Sequence, residues 1–296
     1  PYTAQQVLQK RLLENHGYRV VTSPIDSLPD TLRVWDEAER KIYLSEALDH
    51  QNRTFQLAHA LCFIEFSDVL DAITGSTSFT SESHATRCHV ELANYFAAAF
   101  LMPYDAFLDK AEGSRYDLDR LAAAFAVSIE QAAQRLTTLQ RDGRRGVPFF
   151  FLRIDKAGNV TKRFNATSFS IAEYGGACPV WNVHVAFRTP GVLLPQLVEL
   201  PDGQQFFTIS RTTERPVYSM ETQDRRLAIA LGCESQHAHR VIYASGLDLS
   251  PSGAASKIGI NCHLCPRHNC GQRAYDPIVT ELTTDTKRRG ETRYES

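Results

Sequence analysis

Asn261-Cys262-His263-Leu264-Cys265-Pro266-Arg267-His268-Asn269-Cys270-Gly271-Gln272-Arg273 is the stretch on which the reading of this chain turns. It sets three cysteines in the spacing C-x2-C-x4-C. Thiolates on a short loop can converge on one centre, so cysteines this close point to a metal ion or a metal cluster. The neighbours suit that chemistry: Pro266 bends the chain, Gly271 frees it, and Arg267 and Arg273 favour the thiolate form. Three local cysteines need a fourth ligand. His263 and His268 are the local candidates, and Cys233 and Cys178 the distant ones. A distant ligand would make the loop a clasp that ties the fold together.

The 296 residues suffice for two domains, each with its own core. A net charge of -2 gives the chain as a whole no electrostatic case for nucleic-acid binding. The largest cationic run near the end is Lys287-Arg288-Arg289, in a polar tail. Pro1 to Gln6 begin a polar helix rather than a charged-then-apolar leader, and no apolar run approaches the ~18 residues of a membrane span. With seven cysteines, an odd number, these features predict a cytoplasmic, reducing setting without a membrane partner. The start at Pro1 predicts that a further N-terminal domain precedes these residues in a longer protein.

The linker Arg141-Asp142-Gly143-Arg144-Arg145-Gly146-Val147-Pro148 divides the chain into domains 1–146 and 147–296. In the first, apolar spacing predicts helices over Gln5–Asn15, Thr54–Ile73 and Ala85–Met102, and strands at Tyr18–Val21, Thr31–Trp35 and Ile42–Leu44. Leu48–Arg53 reads as a polar connection. Leu121–Leu139 reads as helix, tight turn, helix, with Ser128 as N-cap. Such a pair can lay its second helix on DNA, which makes residues 118–139 a candidate DNA-binding module. Arg135 is the only cation that Ile129–Leu139 offers to phosphates, so packing on the core is the stronger reading. In the second domain, Phe149–Ile154, Val160–Phe164, Leu193–Glu199, Gln205–Arg211, Arg225–Leu231 and Val241–Ala244 read as strands, with Pro195 marking a sheet edge. Cys178–His184 reads as a helix start, and Gly232-Cys233 as the opening of a short helix. The fold class is α+β: a mainly helical half, then an antiparallel sheet with a few helices.

Leu57-Ala58-His59-Ala60-Leu61-Cys62-Phe63 has the surroundings of an H-E-x-x-H zinc helix without its chemistry. His59 stands at the first ligand position, but Ala60 replaces the general base and Phe63 the second ligand. With Leu92-Ala93-Asn94-Tyr95-Phe96-Ala97-Ala98-Ala99-Phe100-Leu101-Met102-Pro103, this first half resembles the ImmA/IrrE zinc-peptidase fold. There Leu92 stands where that family carries a carboxylate, and Glu91 is one residue out of register. The resemblance implies a pseudo-zincin scaffold reused for binding. A working zinc metallopeptidase of the ImmA type is the alternative.

The second half resembles the C-terminal domain of short-chain fatty-acid transcription regulators, which include regulators of propionate catabolism. The matching residues are Gly175–His184, Ala230–Cys233, Val241–Leu249 and Cys262–Ala274. The resemblance implies a non-enzymatic sensor that takes short-chain acyl-CoA, propionyl-CoA above all, and a [4Fe-4S] cluster. It also implies operator DNA as partner, met through an N-terminal helix-turn-helix domain outside this chain, and it is compatible with a homo-oligomer. Four thiolates suit such a cluster, and zinc is the rival occupant. Cys233 is the expected fourth ligand beside Cys262, Cys265 and Cys270, because it follows Gly232 at the end of an apolar strand; Cys178 is the alternative. Lys162, Arg163, Arg188 and Arg211 are the cations offered to the phosphates of an acyl-CoA, with Phe164, Phe169, Tyr174, Trp181 and Phe187 near them in sequence. Cys62 and Cys88 read as core thiols.

Overall fold

The structure, a computed structural model, describes residues 3–28, 31–170, 175–213, 226–250, 254–282 and 287. Helix α1 (Ala4–His16) opens with a reciprocal cap: the Thr3 hydroxyl accepts from the Gln6 N–H, and the Gln6 side chain accepts from the Thr3 N–H. Three short strands follow, β1 (Arg19–Ser23), β2 (Arg33–Asp36) and β3 (Lys41–Ser45). They form one sheet in the order β1-β3-β2, with β1 parallel and β2 antiparallel to β3. Helix α2 (His50–Glu65) begins where a polar connection was expected, because the Asp49 carboxylate accepts from the Asn52 N–H and caps it. Leu57, Ala58 and Leu61 of α2 share a core with Leu8, Leu12, Ile42 and Leu44.

The single helix expected over Thr54–Ile73 is two helices. Phe66, at φ -129° and ψ 23°, ends α2, and α3 (Ser67–Gly75) starts after it. The Phe66 ring packs 4.9 Å from that of Phe96 on α4 (Glu82–Leu101). Helix α5 (Tyr104–Gly113) was not expected. Pro103 both stops α4 and opens α5, where its missing N–H costs nothing and its carbonyl accepts from Phe107. The helical pair is α6 (Leu118–Phe125) and α7 (Ile129–Leu136), with Ser128 and Gln131 capping α7 reciprocally. Arg135 is 2% exposed and donates to Thr138 Oγ1 at 3.0 Å, so it is not presented to a phosphate backbone.

The chain forms two compact units. One comprises residues 1–107 and 122–131, the other 108–121 and 132–296. The second unit is built on a six-stranded sheet of order β5-β4-β8-β7-β6-β9. Its strands are β4 (Phe150–Ile154), β5 (Val160–Asn165), β6 (Leu194–Glu199), β7 (Gln205–Thr213), β8 (Leu227–Glu234) and β9 (Ser256–Lys257). All pairs are antiparallel except β6 with β9, which meet only at Val198 and Glu199. Among the described residues, Pro195 therefore lies on a stretch of β6 with no strand neighbour on that side, as a strand proline requires.

Strand β8 is buried on both faces. Ala228 and Ala230 join a core with Phe150, Leu152, Phe206, Cys178, Trp181 and Ile258. Successive strand residues point to opposite faces, so Ile229, Leu231 and Cys233 fill the other side. Gly232 returns to the first face beneath its cross-strand partner Phe150; a Cβ there would stand 2.5 Å from Phe150 Cζ and 2.9 Å from the Phe207 carbonyl. Gly232-Cys233 thus continues the strand instead of opening a helix. The helical turn starts at Ser235 and is a 3-10 turn, as is Ile242–Ala244, where a strand was expected. The helix expected from Cys178 is only α8 (Asn182–Val185), a single turn. Gly232→Ala will overpack the Phe150 ring and cost about 1–3 kcal/mol, read as a lowered urea midpoint.

Candidate functional site

The C-x2-C-x4-C loop is held from three directions. The Asn261 side chain accepts from the Leu264 N–H at 2.9 Å and turns the chain into the loop. Arg267 reaches outward, donating Nε to the Ile258 carbonyl at 3.2 Å and NH2 to the Glu199 carbonyl at 2.9 Å, which ties the loop to the end of β6. Arg273 reaches inward, donating to the carbonyls of Cys262 at 3.1 Å, Cys265 at 3.2 Å and Arg267. Gly259 lets the loop close: a Cβ on it would lie 2.7 Å from Cys265 Sγ.

Cys262, Cys265 and Cys270 line one cavity, and the fourth cysteine in its wall is Cys178. The segment carrying Cys178 is fixed on the sheet. Trp181 Nε1 donates to Thr208 Oγ1 at 3.2 Å, and the Asn182 N–H donates to Gln196 Oε1 at 2.8 Å. Burial pushes the Cys178 thiol up, the amides of Gly259 and Val180 pull it back, and Cys262 and Cys270 push it up again. Cys233, the expected fourth ligand, is not in this wall. It sits on the far face of β8, opposite Phe207, with burial raising its thiol to about 12, the state of an inert core cysteine. His268 is exposed, and the His263 ring stacks on Tyr275 at 4.6 Å; neither lines the cavity.

Four thiols, a glycine without a Cβ to fill the space and a buried guanidinium are a donor set that fits a thiolate-held ion or cluster. The free space between them is about 10 Å³, room for one small atom. Among the described residues no group of three or more His, Cys, Asp or Glu is gathered to hold a metal ion as it stands. To hold an ion or a cluster, the four cysteine side chains would have to turn toward one another.

The peptidase-like unit carries a second cavity, of about 470 Å³. Three elements each contribute one face: Arg33 and Trp35 two apart on β2, Gln56, His59 and Phe63 at helical spacing on α2, and Val90 and Asn94 four apart on α4. Where a zinc helix would have its second histidine, the Phe63 ring lies 5.2 Å from that of His59. Arg33 donates to His59 Nδ1 at 3.0 Å and to the Gln56 carbonyl at 2.9 Å. Burial, then the Arg33 charge, lower His59 to about 4, against a weaker upward pull from the Val90 backbone. His59 is thus a neutral acceptor at pH 7. Trp35 Nε1 is buried with no hydrogen-bond partner among the described residues. The Cys62 thiol next to this helix face is a core thiol raised by burial, while Cys88 is half-buried.

The four cations expected to share a phosphate site are dispersed. Lys162 and Arg163 are neighbours on β5 and point to opposite faces. Lys162 donates to Gln134 Oε1, and Arg211, on β7 three strands along from β5, pairs with Asp119 at 2.8 Å. Arg188 is exposed after α8. None of them lines either cavity. Tyr174 and Arg288-Arg289 lie outside the described residues.

Between pH 6.5 and 4 the unfolded chain takes up a proton that folded His59 refuses, so stability falls as pH drops through that window. The loss amounts to about 3 kcal/mol. Urea unfolding at pH 7 and pH 4.5 will show a smaller acid-side loss for His59→Gln than for the parent.

Residues 138–294 match the family described as short-chain fatty acyl coenzyme A regulator, C-terminal, and residues 13–137 match the IrrE N-terminal-like domain. The chain is 43% identical over 283 residues to the HTH-type transcriptional regulator RamB of Mycobacterium tuberculosis, covering 95% of this chain and 60% of that protein. It is 48% identical over 241 residues to the propionyl-CoA carboxylase regulator of Cereibacter sphaeroides, covering 81% of this chain and 52% of that protein. The chain thus spans little more than half the length of these relatives. A solved structure, a Mycobacterium tuberculosis transcriptional regulator, superimposes with a TM-score of 0.90 at 36% identity, covering 99% of this chain and 88% of that one. With the degenerate zinc helix in its first unit and the cysteine loop in its second, the chain belongs to the short-chain fatty acyl coenzyme A regulator family.

Proposed function

We propose that this chain is the effector-sensing region of a cytoplasmic transcription regulator of short-chain fatty-acid catabolism, that of propionate in particular. Its effector is a short-chain acyl-CoA such as propionyl-CoA. The observation that carries the reading is the cavity around His59, which keeps the cleft of a peptidase and replaces its metal chemistry with binding chemistry. Arg33 and Trp35 Nε1 offer N–H donors to a carbonyl or an anion, and Phe63 and Val90 offer an apolar wall to a short acyl chain. Its volume of about 470 Å³ suits the acyl-pantetheine end of such a ligand. With Ala60 in the position of the general base, no residue there activates water. Binding works by linkage: the effector favours one arrangement of the protein and so biases a helix-turn-helix domain on operator DNA, in a homo-oligomer of the whole regulator.

Cys178, Cys262, Cys265 and Cys270 would hold a [4Fe-4S] cluster, which supplies one-electron redox chemistry and a cross-link between the loop and the sheet. Zinc on the same four thiolates is the second reading, favoured by the small free space between them.

Propionyl-CoA at a hundred times its Kd will stabilise the protein by about 2.7 kcal/mol, seen as a raised thermal midpoint. Arg33→Met will abolish most of that rise; a parent protein indifferent to every short-chain acyl-CoA overturns the sensor reading. Protein purified without air will show broad visible absorbance and about four iron per chain. Cys178→Ala will lose them and Cys233→Ala will keep them. A colourless protein with stoichiometric zinc decides for zinc.

A further inference from the structure

The cysteine cavity contains a cation whose charge nothing in the described protein balances. Arg273 is 4% exposed and lines the cavity. Its terminal nitrogens donate to the carbonyls of Cys262, Cys265 and Arg267. Its Nε is also buried, with no hydrogen-bond partner among the described residues, and no carboxylate there pairs with it. Three carbonyl dipoles satisfy the terminal N–H groups but supply no net negative charge. A guanidinium cannot shed its proton to escape this cost, so a counter-charge has to come from elsewhere. Arg267, the other guanidinium in the wall, already has the Glu199 carboxylate at 3.5 Å. The remaining polar groups around the cavity include the four thiols, and these become anionic when they ligate a metal centre.

We propose that Arg273 is the positioning and charge-balancing residue of the cysteine site. Its fork fixes the backbone at the first two cysteines of the loop, and its charge is neutralised by the thiolate-held group. This rests on the reading of the four cysteines as ligands. A cluster so placed feels a positive charge, which favours the form that carries one more electron.

The test uses the whole chain, loaded without air, as parent, Arg273→Gln, Arg273→Lys and Arg267→Gln. Two quantities are read: the rate at which a chelator strips the metal, and the midpoint of the visible chromophore in a redox titration. Arg273→Gln is expected to lose metal at least tenfold faster, with its midpoint moved to more negative potential. Arg273→Lys is expected to recover most of the midpoint while stripping at a rate between those two proteins. Arg267→Gln is expected to leave the midpoint where it was. An Arg273→Gln protein with the parent's midpoint and stripping rate overturns the inference and leaves the ligand reading standing. Should Arg273→Gln fail to fold, Arg273→Lys decides: stripping at least threefold faster at an unchanged midpoint supports the role, and parental stripping overturns it. If the occupant is zinc, stripping rates alone decide. Arg273→Lys slower than Arg273→Gln supports the role of charge, and equal rates overturn it. Parent protein that takes up neither iron nor zinc overturns the ligand reading and this inference with it.

Discussion

A strand that is buried on both faces must commit each of its residues to one side or the other, and β8 is such a strand. Ala228, Ala230 and Gly232 lie beneath the large rings of one core, and Ile229, Leu231 and Cys233 fill the opposite one. The small residues are there because Phe150 comes down onto Gly232 with no room for a methyl group. That packing fixes the level at which the Cys178–Trp181 segment rests on the sheet, since Phe150, Cys178, Trp181 and Ile258 share one core. Ile258 in turn leads into Gly259 and the cysteine loop. Alternation along β8 puts Cys233 behind the sheet, on the face away from the core that Cys178 shares with Ala228 and Ala230.

How much of this was legible depended on the range of the interaction. The C-x2-C-x4-C spacing is local and was read directly, as was the Ser128 cap, three residues from the Gln131 N–H it accepts from. Cys178, the fourth cysteine of the cavity wall, was read only as the alternative to Cys233, because the choice depends on which face of β8 each residue takes. The clue was present: an apolar run through Leu231 with no proline continues as strand through Gly232-Cys233, and its odd positions then point away from its even ones. The break at Phe66 left no such clue. It has no glycine or proline, and coincides with a ring contact to Phe96, thirty positions on. The dispersed cations share that cause, since closeness in sequence along a strand means opposite faces. Arg33 and Trp35, which do line a cavity, carried no motif; only their packing beside His59 singles them out.

The cavity around His59 shows what becomes of a metal-binding helix once its chemistry is gone. A lone imidazole with no metal would be left with an unsatisfied nitrogen in a buried place. Here a guanidinium takes the position of a positive partner at Nδ1, the ring stays neutral, and Phe63 fills the volume of the missing ligand. Polar satisfaction is thereby restored without restoring a Lewis acid. The fold of a hydrolase can persist in this way without the residues that carried its chemistry.

The interleaving of the two compact units has a consequence for the order in which the chain can be made. Residues 108–121 belong with partners that begin at 132, whereas 122–131 complete a unit whose other residues end at 107. As the chain leaves the ribosome, the first unit remains incomplete until residue 131 has emerged. Residues 108–121 then wait for the strands from Phe150 onward before their own core exists. A single cut anywhere from 107/108 to 131/132 leaves at least one of the two units without part of its chain.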